Sequence, residues 1–362
     1  MMTALRGEKP HLAFVDGLRA IAVLSVLAYH SAVANDASFS SLVFCGSRGV
    51  ALFFVISGFC LAFPFLHTWR TASAFHLDKR VYGMFLLRRF SRIAPPFYAV
   101  LTLFALLAFT PFGFPNASGQ DTSIMSAVHD YFFSLLFLTS RFPLFNASFW
   151  TLGIEARWYL LCPLLIALYV RSRAAFVSVG TLMYVLYFFT PFGIVDEGTL
   201  PCFMLGIVAA DAVLLGRPWR RFAWIAASVL LGTAVWEQSR SATSDAGDPL
   251  WHVACFFLVV AGSTGMLRRL LEWRPLAAIG VASYSIYLVH GPFIEVFVKN
   301  GLPRPAAALA GLALGFAAYR LIEKPLSDRS FRSSLERTIV GIMQLRSGPA
   351  ALEPEVAPTQ PV

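Results

Sequence analysis

Long apolar stretches separated by short charged segments constrain this sequence more than any other feature. Apolar side chains make up 57% of the 362 residues and charged side chains only 14%, whereas a soluble protein carries about a quarter charged residues. Stretches of about 20 apolar residues match a helix that crosses a bilayer, and uninterrupted runs fit helices rather than the alternating strands of a barrel. The sequence therefore predicts an all-α, polytopic membrane protein.

Apolar windows of this length predict about ten transmembrane helices. The predicted spans are 12–34, 47–66, 85–110, 149–170, 174–190, 198–215, 221–237, 250–267, 275–298 and 304–322. The apolar stretch 128–139 is too short to cross, and Asp130 interrupts its start. It is predicted to be an interfacial or re-entrant piece.

The distribution of basic residues predicts the orientation. If the amino terminus is cytoplasmic, 23 of the 29 lysines and arginines fall on segments of that same side, as the positive-inside rule requires. The six others are Arg48, Arg141, Arg157, Arg240, Lys299 and Arg304. Both termini are therefore predicted to be cytoplasmic, and the net charge of +9 reflects topology rather than binding to nucleic acid.

Residues 1–330 are predicted to form one transmembrane domain. Residues 331–362 are predicted to be a cytoplasmic tail that is largely disordered, because the sequence there becomes polar and ends in a Pro- and Ala-rich stretch. The five cysteines have no CxxC spacing and an odd count. That pattern supports neither a zinc site nor a disulfide framework, so no metal centre is predicted.

The first apolar stretch has a second interpretation, a cleavable signal peptide. Arg6 and Lys9 precede the apolar core, and Ala32-Val33-Ala34 has the small residues of a cleavage site. Asp16 and Arg19 disfavour this interpretation because they interrupt the approach to the apolar core.

The first span also carries ionisable groups. Arg19 and His30 are eleven residues apart, which places them on one helix face about 16 Å apart along the axis. Ionisable groups inside membrane spans often mark functional sites, but a lone histidine can also be a neutral imidazole hydrogen-bonded between packed helices. The residues alone leave both interpretations of His30 open.

A cluster of arginines opens the third span. Arg89 and Arg92 share a helix face beside Arg88, and their planar guanidinium groups suit phosphate oxygens. An ordinary anchor against anionic lipid headgroups is the alternative.

The fourth span begins with Ser148-Phe-Trp150 and carries Glu155 about two turns from its start. A carboxylate at mid-membrane costs roughly 2.5 to 3.5 kcal/mol on insertion scales unless it is paired or protonated. Two interpretations are open: a structural ion pair, for instance with Arg157, and a role as an acid, a base or the orienter of a histidine.

Two later motifs favour structural roles when each is taken alone. Tyr284, Tyr287 and His290 recur every third residue in the ninth span and are typical of aromatic belt residues at a membrane interface. Glu323 lies two residues before Pro325, which is a good helix stop.

Taken together, these motifs resemble the acyltransferase-3 family of integral membrane O-acyltransferases. Six motifs follow in the family's order over residues 12 to about 330: Phe14 to His30, Phe53 to Phe59, Arg89 to Arg92, Trp150 to Tyr159, Tyr284 to His290, and Glu323 to Pro325. The resemblance implies transfer of an acyl group, usually acetyl from acetyl-CoA, to a hydroxyl of a carbohydrate such as exopolysaccharide, lipopolysaccharide O-antigen or a glycolipid intermediate.

The resemblance also implies site residues and a location. His30 and Glu155 match catalytic positions, whereas Arg19, Arg89 and Arg92 match positions associated with the acyl-CoA donor. Acyl-CoA is a substrate here, and no permanently bound cofactor is implied. The expected partners are acyl-CoA, a carbohydrate or glycolipid acceptor and the lipid bilayer of the bacterial cytoplasmic (inner) membrane. A stand-alone form is expected, without the carboxy-terminal SGNH-type hydrolase domain of some relatives.

One departure and one rival interpretation accompany the resemblance. The family often has a second acidic residue and then a glutamine after the glutamate, where this sequence has Ala156 and Arg157. The rival is a proton- or anion-coupled transporter that uses Arg19, His30 and Glu155 as its path. A transporter would move its substrate without CoA, and the ordered motifs favour the enzyme.

Overall fold

The structure, a computed structural model, describes residues 12–34, 46, 48–72, 77–108, 123–138, 143–189, 199–216, 218–240 and 249–346. Every regular element in these ranges is helical and none is a strand, which confirms the all-α class. The helices are α1 (Ala13–Val33), α2 (Gly49–Ala72), α3 (Lys79–Ala108), α4 (Ile124–Leu135), α5 (Trp150–Arg171), α6 (Arg173–Phe189), α7 (Thr199–Leu215), α8 (Ala223–Arg240), α9 (Pro249–Gly262), α10 (Gly265–Leu271), α11 (Arg274–Val281), α12 (Ser283–Lys299), α13 (Arg304–Ala318), α14 (Lys324–Leu326) and α15 (Arg329–Arg346).

Several of these helices have the length and composition of membrane spans. Within the described ranges, five helices are long and apolar enough to cross a bilayer, and the count rises to eight if each of three bent helix pairs is one span. The pairs join α7 to α8, α9 to α10, and α11 to α12. These helices describe a multi-pass membrane protein, while the count of ten spans and the cytoplasmic termini stay predictions.

Two predicted spans are bent rather than straight. The predicted span 250–267 covers α9 and the start of α10, which meet at 91°, and Gly265 in this bend has a positive φ of 62°. The predicted span 275–298 covers α11 and α12, which meet at 70°. Hydropathy averages over such bends, so a window of apolar residues cannot show them.

The two segments outside the predicted spans are partly helical. The apolar piece predicted at 128–139 overlaps α4, a helix of 12 residues that begins four residues earlier, at Ile124. The predicted tail overlaps α15, which packs against α3 and accepts a hydrogen bond from Ser91 Oγ at Glu336, 2.8 Å away. Residues 347–362 lie outside the described residues.

Close helix crossings hold the site helices in place. At the crossing of α2 and α7, a Cβ on Gly58 would collide with the backbone oxygen of Phe203, and a Cβ on Gly206 with that of Val55. At the crossing of α1 and α11, Gly280 lies directly against the backbone of Asp16. Glycines at such crossings let two backbones approach closely, which is how helices associate in membranes.

Candidate active site

A cavity of about 120 Å³ lies between α1, α2, α3, α5 and α12. We call it the arginine cavity. The charged residues that line it are Arg19, Arg89, Arg92, Glu155 and Glu323. The structure therefore places four of the five predicted site residues, from three helices far apart in sequence, around one cavity.

The three arginines of this cavity have no carboxylate partner. Among the described residues, no carboxylate oxygen lies within 4.0 Å of the guanidinium nitrogens of Arg19, Arg89 or Arg92. Arg89 instead lies over the rings of Phe85 and Tyr159, 5.9 Å from each ring centroid. Each guanidinium offers five N–H donors, so the cavity presents donors and positive charge to a ligand.

Glu155 is held by hydroxyl groups rather than by a cation. Its carboxylate accepts hydrogen bonds from Tyr159 Oη, four residues later on α5, and from Ser57 Oγ of α2 at 3.1 Å. The structural ion pair with Arg157 is not formed. Glu155 thus keeps its carboxylate inside the cavity, where two neutral donors fix its orientation.

Glu323 lies in this cavity as well, although the sequence favoured a helix-stop role for its motif. The helix continues from α13 through a π-helical turn, Tyr319–Glu323, into α14 and ends at Leu326, one residue after Pro325, as expected for a helix stop. Ser285 donates to the carboxylate of Glu323 from its backbone nitrogen at 3.2 Å and from its Oγ at 2.6 Å. Single π turns within helices are frequent at functional sites, but no sequence signal marked this one.

A second cavity of about 290 Å³ lies near the carboxy-terminal end of α1. We call it the histidine cavity. Its polar lining consists of His30, Asn146, Ser148 and Glu295, and Gly291 completes one wall. The His30 imidazole makes no hydrogen bond to any described residue, so that part of the chain uses neither ring nitrogen. His30 and Glu155, the two predicted catalytic residues, therefore line different cavities.

The side chain that faces His30 is His290. The two rings lie 4.9 Å apart between centroids at an interplanar angle of 69°. His290 is 0% exposed, so its interpretation as a belt residue is wrong. Its Nδ1 lies 2.9 Å from the carbonyl oxygen of Tyr287 and 3.1 Å from that of Ile286.

The tautomer of His290 follows from these two contacts. Carbonyl oxygens only accept hydrogen bonds, so Nδ1 carries the proton and Nε2 of the neutral ring has a bare lone pair. Nε2 has no hydrogen-bond partner within the part of the chain that the structure describes. His290 therefore presents a buried acceptor next to His30.

A proline fixes the wall opposite His30. Pro292 has no N–H, so the carbonyl of Leu288, four residues earlier in α12, lacks its helical donor. Asn146 Nδ2 replaces that donor at 2.7 Å, and Asn146 Oδ1 accepts from the backbone nitrogen of Ser148 at 2.9 Å. The Gly291-Pro292 pair directly after His290 is the sequence signal for this arrangement, but it lies just outside the motif from Tyr284 to His290.

Only about one helical turn separates the two cavities. Thr151 and Tyr287 line the arginine cavity, whereas Ser148 and Gly291 line the histidine cavity. These offsets of three and four residues correspond to about 4.5 to 6 Å of helix rise. Thr151 Oγ1 and Tyr287 Oη are hydrogen-bonded at 2.9 Å between the cavities.

Three cationic side chains thus surround one cavity, and about one helical turn away lies an imidazole that makes no hydrogen bond to a described residue. A family model described as an acyltransferase domain matches residues 12–320. The chain therefore belongs to this acyltransferase family, and the resemblance stated from the motifs is confirmed.

Curated relatives carry more specific names. The chain is 25% identical to the putative peptidoglycan O-acetyltransferase YrhL of Bacillus subtilis, over 90% of this chain and 56% of that protein. It is 23% identical to the peptidoglycan O-acetyltransferase OatA of Listeria monocytogenes, over 91% and 58%. It is also 25% identical to the O-acetyltransferase OatA of Staphylococcus aureus, over 92% and 62%. The chain thus spans about three fifths of these relatives, and no solved structure matches it.

Proposed function

We propose that this protein is a bacterial membrane O-acyltransferase that moves an acyl group from acyl-CoA to a hydroxyl group of a carbohydrate. The observation that carries the proposal is the pair of adjacent cavities. Within the described ranges, the three arginines around one have no carboxylate partner, and the imidazole in the other has no hydrogen bond. The names of the relatives support acetyl as the acyl group and a saccharide as the acceptor.

The arginine cavity fits the donor. The phosphate oxygens of CoA bind to Arg19, Arg89 and Arg92 in this proposal, because a guanidinium group can bind phosphate through two parallel N–H bonds. A cavity of about 120 Å³ is too small for the nucleotide, so it receives the narrow thioester end, while the phosphates lie outside it on the side of the arginine cluster where Arg92 is exposed. The short distance to the histidine cavity lets the thioester carbonyl approach His30.

His30 is the proposed general base. A neutral imidazole can take a proton near neutral pH, and His30 has no competing hydrogen bond to a described residue. The acceptor oxygen attacks the thioester carbonyl carbon, the new C–O bond forms and the C–S bond breaks. The hydroxyl proton passes to His30 and then to the leaving thiolate of CoA.

His290 is the proposed positioning residue for this base. Its buried Nε2 is an acceptor without a partner, 4.9 Å between ring centroids from His30. When one nitrogen of His30 donates its N–H to that acceptor, the other nitrogen has its lone pair free for the substrate proton. Glu155 has a separate proposed role: its carboxylate, held by Tyr159 and Ser57, orients the donor-side groups rather than His30.

The proposed location is the bacterial cytoplasmic membrane, with ten spans and both termini in the cytoplasm. The positive-inside distribution of the basic residues supports this topology. In this orientation the arginine cavity opens toward the cytoplasm, where acyl-CoA is made, and the histidine cavity toward the opposite face.

The test uses the full chain in lipid nanodiscs with acetyl-CoA labelled on the acetyl group. We expect loss of thioester that increases when a bacterial glycan is added, with label recovered on the glycan. His30→Ala is expected to abolish this transfer, and Arg89→Ala to weaken donor binding. His129→Ala is the matched control for the histidine and Arg88→Ala for the arginine, because neither residue lines the arginine cavity or the histidine cavity.

Three results would count against the proposal. Equal loss of activity in Arg88→Ala and Arg89→Ala would mean that the cluster acts through general surface charge. Full transfer by His30→Ala would remove His30 as the base. Movement of a solute into proteoliposomes without any need for CoA would favour a transporter instead.

A further inference from the structure

The histidine cavity has the chemistry of a second binding site. It is larger than the arginine cavity, about 290 Å³ against about 120 Å³, and close to the lower limit of about 300 Å³ for small-molecule sites. Its walls combine apolar residues such as Val33, Phe145 and Pro292 with few polar groups. Ligand sites have this mixture, in which apolar walls enclose the ligand and a few polar groups fix its orientation.

One wall of this cavity contains a polar atom that lacks a partner. Ser148 is only 2% exposed, and its Oγ has no hydrogen-bond partner among the described residues. A buried hydroxyl without a partner costs stability, which a ligand with a matching group recovers on binding. The backbone of Ser148 is fixed by Asn146, so the hydroxyl is held in place before any ligand arrives.

Gly291 keeps the space beside this hydroxyl open. A Cβ at position 291 would lie 3.5 Å from Ser148 Oγ and 3.3 Å from Asn146 Oδ1. Any side chain at this position would therefore fill the part of the cavity next to the unsatisfied oxygen.

The charges around the cavity select a neutral ligand. No arginine or lysine is among the described residues that line it, and its one carboxylate, Glu295, is paired with Lys299 at 3.3 Å. An anionic ligand would find no cation among these described lining residues, and His30 and Ser148 both suit hydroxyl groups.

We propose that the histidine cavity is the acceptor site, where Ser148 holds one hydroxyl group of a neutral saccharide ring so that another hydroxyl meets His30. This inference rests on the proposed function and assigns the acceptor a place separate from the donor. The donor then binds at the arginines and the acceptor at Ser148, and the two meet across the single turn between Thr151 and Ser148.

A protection experiment tests the two sites without turnover. Cys60 lines the arginine cavity, and Ala147 lines the histidine cavity, so the native Cys60 and the variant Ala147→Cys give one thiol in each. The full chain in nanodiscs is treated with N-ethylmaleimide, and alkylation of each thiol is measured by peptide mass spectrometry. The ligands are acetyl-CoA and a panel of neutral saccharides, namely chitotriose, maltotriose and mannotriose.

We expect a crossed pattern of protection. At least one saccharide slows alkylation of the Ala147→Cys thiol severalfold and leaves Cys60 unaffected, while acetyl-CoA protects Cys60 alone. If no saccharide protects the Ala147→Cys thiol while acetyl-CoA protects Cys60 and transfer proceeds, the acceptor site is wrong and the proposed function stands. If acetyl-CoA neither protects Cys60 nor is consumed, the proposed function fails. Protection of the Ala147→Cys thiol by a saccharide would then still show that the histidine cavity binds saccharides, and its absence would show that it does not.

Kinetics gives a second, independent test. Ser148→Ala is expected to raise KM for the acceptor about 2- to 10-fold, the effect of one neutral hydrogen bond, without changing KM for acetyl-CoA. Gly291→Ala is expected to act in the same direction by narrowing the cavity. Ser31→Ala is the matched control, because its hydroxyl is satisfied by Ala28 O at 3.0 Å and lines neither cavity. An unchanged acceptor KM in both Ser148→Ala and Gly291→Ala would overturn the proposal.

Discussion

Two groups of arginines in this protein differ in whether their guanidinium groups are paired with a carboxylate. Arg70 and Arg173 converge on Asp211, which is only 2% exposed, with contacts of 2.6 and 3.3 Å to its carboxylate oxygens. Tyr169 Oη completes the cluster at 2.8 Å. Around the arginine cavity, by contrast, Arg19, Arg89 and Arg92 have two glutamates nearby and no carboxylate within 4.0 Å among the described residues.

The difference separates a structural role from a binding role. The Asp211 cluster joins side chains of α2, α5, α6 and α7, and its hydrogen-bonding groups are used within the protein. The described residues leave the donors of the arginine cavity unused, and because these arginines are exposed or half-buried, their donors are available to an anion. Counting basic residues for topology treats both groups alike, so only the packed structure distinguishes them.

The largest effect is expected from the double variant Arg89→Ala/Arg92→Ala. Hydrogen bonds to charged groups contribute about 1.5 to 3 kcal/mol each, so the loss of both side chains should weaken acetyl-CoA binding at least about 100-fold. Thermal stability should change little, because neither arginine is paired with a carboxylate of a described residue and a cation–π contact such as those of Arg89 contributes only about 1 kcal/mol. The two measurements are the binding of labelled acetyl-CoA in nanodiscs and the midpoint of thermal unfolding. A lower midpoint with unchanged acetyl-CoA binding would mean that Arg89 and Arg92 have a structural role and not a binding role.

Asp211→Asn should give the opposite result. Removing the charge of a buried ion-pair partner costs about 3 to 5 kcal/mol, and the partial exposure of Arg70 and Arg173 places this case at the lower end. The midpoint temperature for reaction of buried Cys162 and Cys202 with a thiol dye should fall, while acetyl-CoA affinity in the folded fraction stays unchanged. Loss of donor affinity without loss of stability would mean that Asp211 belongs to the binding machinery.

The same contrast extends to the buried histidines. His252 shares a hydrogen bond of 2.7 Å with Tyr184 Oη through its Nδ1, whereas Nε2 of His290 has no partner among the residues that the structure describes. His290→Asn keeps a donor near the Nδ1 position and removes the Nε2 acceptor, so we expect kcat to fall about tenfold, or about 1.4 kcal/mol, with both KM values unchanged. His290→Gln, whose carbonyl oxygen reaches the Nε2 position, should restore part of the rate. Equal rates for the two variants would leave His290 a purely structural role.

The positions of the helices could be predicted because the signal for them is local. The predicted spans 12–34 and 149–170 correspond to α1 (Ala13–Val33) and α5 (Trp150–Arg171) to within one residue at each end. Length and apolarity alone are sufficient for a helix that crosses a bilayer. The bends at α9–α10 and α11–α12 were missed because they depend on tertiary contacts, such as that of Gly280 with Asp16.

Part of the site could be predicted as well, because some of its residues also have a local sequence signal. The arginines and Glu155 were found because charged side chains are conspicuous in apolar stretches. The division into two cavities was not found, since it depends on how α1, α5 and α12 cross. His30 and His290 are 260 residues apart in sequence and in ring contact in the fold, and no local pattern could have paired them.

The smallest expected effect, from Arg92→Lys, separates the two interpretations of the arginine cluster. Lysine keeps the positive charge and loses the planar fork of donors. An anchor against anionic lipid needs only the charge, so it predicts unchanged acetyl-CoA affinity. A phosphate site predicts a loss of about fivefold, or about 1 kcal/mol, because two parallel bonds are replaced by contact with a point charge. Arg88→Lys is the matched control, since Arg88 is exposed and does not line the cavity. A decrease in Arg92→Lys with none in Arg88→Lys would show that the geometry of the guanidinium, and not charge alone, is what separates this cluster from a lipid anchor.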